Sequence, residues 1–174
     1  MGKRTRSVVF SFAVLSVVAL SFNVVVGADM FSGTWELNLA KSRYIPGPPP
    51  VSGTTILSSV DGGLKFVVDG VTAAGKRTHS EYTFKFDGND YPQKPMLDGM
   101  PDPDGADMIS ARRVDDYAYE TTARLKGNVL AVTKVVVSRD GKTRTNTVTG
   151  KNAQGQTVRN TVVYERIARN GVIP

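Results

Sequence analysis

The chain of 174 residues contains no cysteine, one histidine and one tryptophan. Without thiols it has no disulfide framework, no Cys-ligated zinc, no thiolate nucleophile and no lipid-modified N-terminal cysteine. A single imidazole, His79, leaves no material for a His-based transition-metal cage. Beyond residue 29 no long stretch repeats with helical period, and basic residues do not cluster. The length suits one domain with its own core, since domains run to roughly 100 to 200 residues.

The N-terminal segment reads as export rather than fold. Lys3, Arg4 and Arg6 precede an uncharged stretch from Ser7 to Ala28, and the small pair Gly27-Ala28 stands before Asp29, the first acidic residue. This is the layout of a signal peptide over residues 1–28, cleaved near Gly27/Ala28, with the mature domain over 29–174 and a periplasmic or extracellular destination. An uncleaved membrane anchor is the alternative, although Ser16, Ser21 and Asn23 interrupt the apolar run. Loss of Lys3, Arg4 and Arg6 lowers the net charge from +6 to +3. That small surplus offers no nucleic-acid footprint.

Beyond Asp29 the chain alternates with period two. Phe31, Gly33, Trp35 and Leu37 share one face of a first strand, and Tyr82, Phe84 and Phe86 share one face of another, opposite Arg77, His79, Glu81, Lys85 and Asp87. Asp61-Gly62-Gly63, Asp87-Gly88-Asn89-Asp90, Gly127-Asn128 and Asp140-Gly141 supply the positive φ of tight turns. The pattern predicts nine strands, near 31–38, 53–60, 63–70, 76–87, 107–114, 117–126, 129–138, 142–150 and 156–167. Two connections are irregular. Ser42 to Ser52 contains Pro46-Gly47-Pro48-Pro49-Pro50, which suits a stiff strap, and Pro92 to Gly105 contains four prolines.

The fold class is therefore all-β, an antiparallel up-and-down meander closed into a barrel of about eight to ten strands. A two-sheet sandwich of the same strands is the alternative, but neighbour-to-neighbour hairpins favour closure. Val68 to Gly75 and Val148 to Gly155 share the pattern V-x-G-x-x-A-x-G. Both copies lead into a strand, which makes them repeated hairpin loops rather than phosphate loops.

Few residues offer chemistry. Asp102, Asp104 and Asp107, with Asp98 nearby, are the calcium candidates, though their order departs from an EF-hand loop and their prolines limit wrapping. His79 and Ser80 are adjacent on a strand and so point to opposite faces. Glu36, Glu81, Asp87 and Glu165 all fall on outward faces, which leaves no inward acidic pair for acid–base work. No cofactor site is visible. Phe66, Tyr82, Phe84, Tyr117, Tyr119 and Tyr164 fall on inward faces, and of these Phe66, Tyr82, Phe84, Tyr119 and Tyr164 are the candidate ligand-binding residues.

Gly33-Thr34-Trp35 at the start of the first strand, with Phe31 before it, resembles the opening of lipocalins and fatty-acid-binding proteins. Thr161-Val162-Val163-Tyr164-Glu165-Arg166 is similar to the last strand of the latter, and Gly33 through Ser42 resembles the opening of small exported bacterial lipocalin-like proteins. The resemblance implies a calycin-type barrel in which Arg166 packs over Trp35 and closes one end. In fatty-acid-binding proteins an Arg-x-Tyr pair on the last strand holds the ligand carboxylate; here Val162 stands at the arginine position and only Tyr164 remains. The expected ligand is therefore small, apolar or amphipathic, and neutral or weakly polar. The charged outward faces argue against a transmembrane barrel. The leading expectation is a non-catalytic binding protein. The alternatives are a packed barrel acting through its surface as an interaction module, and an enzyme using carboxylates or tyrosines.

Overall fold

The computed structural model describes residues 29–152 and 154–167, so the expected signal peptide and the last seven residues lie outside the described part. Twelve strands run in chain order: β1 (Gly33–Arg43), β2 (Ser52–Val60), β3 (Gly63–Val71), β4 (Arg77–Lys85), β5 (Tyr91–Pro92), β6 (Met96–Leu97), β7 (Met100–Pro101), β8 (Met108–Arg113), β9 (Ala118–Leu125), β10 (Asn128–Val137), β11 (Thr143–Lys151) and β12 (Thr157–Ile167). The nine long ones are the nine that alternation predicts. All belong to one antiparallel sheet in the order β5-β8-β9-β10-β11-β12-β1-β2-β3-β4-β6-β7. The sheet curls strongly into an open half-barrel. No helix among the described residues is long and apolar enough to cross a membrane.

Among the nine long strands, every pairing but one joins neighbours in sequence. β12 pairs with β1, setting Arg166 opposite Trp35 and Tyr164 opposite Leu37. The long edges β4 and β8 meet at one end, where Asp87 bridges Arg112 and the Gly88 N–H donates to the Ala111 carbonyl at 3.0 Å. Farther along, the proline-rich connection serves both edges: β5 pairs with β8, and β6 pairs with β4. The sequence suggests only an irregular loop here. Pro92 and Pro101 fall on β5 and β7, the two edges of the sheet, where a missing N–H breaks no ladder.

Register sorts the side chains into an inward layer. Leu57 faces Phe66, which faces Tyr82; Leu64 faces Phe84. Val135 faces Tyr119 on one side and Asn146 on the other. Phe31, Trp35, Leu57, Leu64, Phe84, Tyr119 and Val137 are almost wholly buried. Each such side chain contributes about 1.5 to 3 kcal/mol relative to exposure. The rings lock by edge and face: Phe31 meets Tyr119 edge-on at 4.9 Å, and Phe66 stacks on Tyr82 at 4.9 Å. Outward, Lys41–Glu165, Lys65–Glu81 and Arg112–Glu120 form exposed ion pairs across strands.

The first strand begins with a residue that only glycine can be. Gly33 has φ +141°, and a Cβ there would stand 2.5 Å from Nη1 of Arg166. That guanidinium lies 4.2 Å from the centroid of the Trp35 ring. The repeated sequence pattern is also turn chemistry. Thr72 and Lys76 close one loop, Asn152 and Gln156 the other, with Gly75 and Gly155 at φ 77° and 74°.

Trp35→Ala removes the largest fully buried side chain from the core and should cost about 3 to 5 kcal/mol in urea unfolding. Lys65→Ala, which removes one exposed ion pair, should stay within about 1 kcal/mol of the parent. Similar losses for both would mean that Trp35 does not anchor the core.

Candidate functional site

The inward layer divides into a dry end and a more open end. At the dry end Phe31, Trp35, Phe84 and Tyr119 are almost wholly buried. Farther along β3, β4, β10 and β11 the layer changes: Val68, Ser80, Tyr82, Thr133, Asn146 and Val148, with Tyr164 on β12, are inward by register but only half-buried, whereas Ile109, Thr121 and Val162 stay buried. The hairpin loops at Thr72–Lys76 and Asn152–Gln156 and the turn at Lys126–Gly127 surround this end. The proline strap reaches it too, with the Ile45 N–H donating to Asn160 Oδ1 at 2.9 Å and the Arg159 N–H to the Ile45 carbonyl at 2.7 Å.

The candidate ligand residues fall on both sides of this boundary. Phe66, Phe84 and Tyr119 are buried in the ring cluster, whereas Tyr82 and Tyr164 stand at the border with the open end. Burial raises the Tyr82 phenol above its ordinary value, Tyr119 adds to the rise and Arg144 opposes it. Burial likewise pushes Tyr119 up to about 12, again against the field of Arg144. Tyr44, from the strap, is pushed up to about 12 by burial and by the neighbouring Tyr164 phenol. At neutral pH these phenols are uncharged and able to donate.

Arg144 does not stand out in the sequence. It is 2% exposed, faces Val137 and Tyr164 across its two neighbours, and places its guanidinium carbon 4.3 Å from the Tyr164 ring centroid and 5.5 Å from that of Trp35. β11 hides it, because Thr143, Thr145, Thr147 and Thr149 alternate with Arg144, Asn146, Val148 and Gly150 and both sets contain polar residues. Parity within the strand cannot say which set turns inward. The usable signal lies on β10, where Val135 and Val137 are clearly apolar and the hairpin pairs them with Asn146 and Arg144.

The other polar groups are committed elsewhere. His79 Nδ1 lies 2.8 Å from Asp69 Oδ1 on an exposed face, beside a surface recess of about 330 Å³ lined by Thr54, Arg77 and Thr78. Asp102 Oδ1 accepts from the Asp104 N–H at 3.1 Å, and Asp107 Oδ2 from the Lys126 N–H at 2.9 Å. These calcium candidates therefore act as turn acceptors, and among the described residues no three acidic or imidazole side chains gather around a metal-sized space. A larger recess of about 810 Å³ opens at the dry end between Asp29, Leu64, Phe86 and Arg113. Burial would raise the Asp29 carboxyl, but hydrogen bonds from Ser32, Ser59 and the Phe31 N–H, with Arg113 nearby, hold it below the usual range. Arg113 itself lies over the Phe31 and Phe86 rings. Those charges are engaged within the protein, so the open end of the inward layer is the better candidate.

No protein-family model, curated protein or solved structure matches the chain. The site is defined by its own geometry alone.

A raised phenol pKa has a definite alkaline consequence. Between about pH 10 and pH 12 the unfolded chain releases a proton that folded Tyr119 retains, so stability should fall with rising pH by on the order of 1 kcal/mol per unit, with a smaller, solvent-screened fall from Tyr44. Spectrophotometric titration of the parent against Tyr119→Phe checks this. Ionisation of Tyr119 near the ordinary value of about 10 would show that its phenol is not desolvated.

Proposed function

We propose that the protein is an exported carrier in which the curled sheet closes as a lipocalin-like barrel and reversibly holds one small amphipathic ligand against its inward face. The observation that carries this reading is the boundary within that face: a dry aromatic end gives way to inward side chains, Val68, Tyr82, Thr133, Val148 and Tyr164, that remain half-buried. A sheet evolved only to pack would cover such residues, because apolar surface left open forfeits about 25 cal/mol per Å². A mostly apolar lining with a few phenol and hydroxyl groups is the composition of small-molecule sites.

The other supports are independent of one another. Asp87–Arg112 and Gly88–Ala111 join the long edges at one end, which is the seam a closed barrel requires. Gly33-Thr34-Trp35 and Arg166 carry the lipocalin resemblance, and Lys3 to Ala28 carries the export signal. Catalysis has no comparable support, since the carboxylates Glu36, Glu81, Asp87 and Glu165 all lie on the outward face.

Native mass spectrometry of the protein from its own host, followed by organic extraction, tests the reading. A stoichiometric small molecule, released on extraction, is the expected result. A clean apo mass together with no uptake of any apolar dye would overturn it and move the function to the outer surface.

A further inference from the structure

Arg144 poses a problem that the fold does not solve by itself. A guanidinium is charged at every relevant pH, and taking it from water without a partner costs several kcal/mol. Yet among the described residues no carboxylate lies within ion-pair distance of Arg144, its guanidinium makes no hydrogen bond, and its Nε is buried with no partner. The contrast with Arg166 is direct. There Nε donates to the Gly141 carbonyl at 2.6 Å, Nη2 to the Met30 carbonyl at 2.7 Å and Nη1 to the Ser32 carbonyl, so every nitrogen is engaged. The faces of Tyr164 and Trp35 offset part of the charge on Arg144, but rings accept none of its N–H directions along a carboxylate-like fork.

Its surroundings are unpaired in the complementary sense. The hydroxyls of Tyr82, Tyr119 and Tyr164 have no hydrogen-bond partner among the described residues, and Arg144 is close enough to Tyr82 and Tyr119 for its charge to be felt at both. One step toward the open end, Asn146 Oδ1 and Ser80 Oγ are buried and unpartnered as well. Phenol and serine hydroxyls that can donate, set near one unpaired cation, are the ingredients of an anion site, while Asn146 Oδ1, an acceptor, marks its far limit. Arg166, by contrast, has a carbonyl partner for each of its three nitrogens.

We propose that Arg144, with the hydroxyls of Tyr82, Tyr119 and Tyr164, holds the monoanionic headgroup of the ligand, whose apolar body extends past Val68 and Val148 toward the open end. This rests on the carrier reading above and deepens it. It also corrects the expectation of a neutral ligand, which came from Val162 on the last strand; the cation comes from the strand beside it.

The test uses two dyes with nearly the same rings: anilinonaphthalene sulfonate, a monoanion, and N-phenylnaphthylamine, which is neutral. The purified protein is expected to bind the anion roughly tenfold or more tightly than the neutral dye. The preference should persist in about 0.5 M NaCl, where surface attraction is screened and a buried pair is not. Arg144→Met should erase the preference, the anion losing far more affinity than the neutral dye, and its melting temperature without dye should hold or rise because a buried unpaired charge is gone. If that variant does not fold, the double variant Tyr82→Phe and Tyr164→Phe keeps both rings and should weaken only the anion, by about three- to tenfold. Equal affinity for the two dyes, or a preference abolished by salt, would overturn the anion site and leave the carrier standing. Binding of neither dye would remove the carrier reading itself.

Discussion

The sheet depends most on the fork of Arg166. One side chain from the last strand reaches the carbonyls of Met30 and Ser32 before and at the edge of the first strand, and that of Gly141 in the β10–β11 turn, while lying over Trp35. Three segments that are far apart in sequence are thereby fixed at one end of the sheet. The Trp35 indole N–H donates to the Phe31 carbonyl at 2.9 Å, so the chain entering β1 is held from inside as well. Gly33 is part of the same device, since any larger residue would displace the guanidinium. Pairing of β1 with β12 brings together the two ends of the described chain, and such a contact must repay a large closure entropy. A bundle of charge-assisted bonds on a buried ring is a concentrated way to do so.

That constraint explains why one end of the inward layer is dry. Phe31, Trp35, Phe84 and Tyr119 are drawn together where Arg166 gathers the strands, and the edges touch at Asp87–Arg112 on the same side. Away from it inward side chains shorten or become polar: Val68, Ser80, Thr133, Val148. The proline strap and the two repeated hairpin loops stand around this end without filling it. A scaffold whose stability is concentrated at one end can leave the other free for function.

Most of this architecture was legible in the residues. Period-two runs bounded by Asp-Gly and Gly-Asn turns located the nine long strands within a few positions, because half-buried antiparallel strands are where alternation is cleanest. Other features were not legible, for definable reasons. β1 continues to Arg43 through an irregularity after Asn38, since a bulge shifts the parity on which the reading relies. β5, β6 and β7 are two residues each, too short to alternate at all. Arg144 escaped because β11 is polar on both faces, and burial of a guanidinium is the one outcome that composition argues against.

The two buried arginines show why burial alone does not define a role. Arg144 and Arg166 both lie over Trp35; burial first, and then the neighbouring charge of Arg144, lower the Arg166 guanidinium from its ordinary value. For Arg166 the desolvation is answered within the chain by three carbonyls, and the result is a structural clamp. For Arg144 nothing in the described chain answers it, although Tyr82, Tyr119 and Tyr164 are placed around it with donors of their own. Phenol oxygens can accept as well as donate, but none of the three is hydrogen-bonded to Arg144 as the carbonyls are to Arg166. On the proposal above, that unanswered charge and the phenols beside it are what an anionic headgroup would meet.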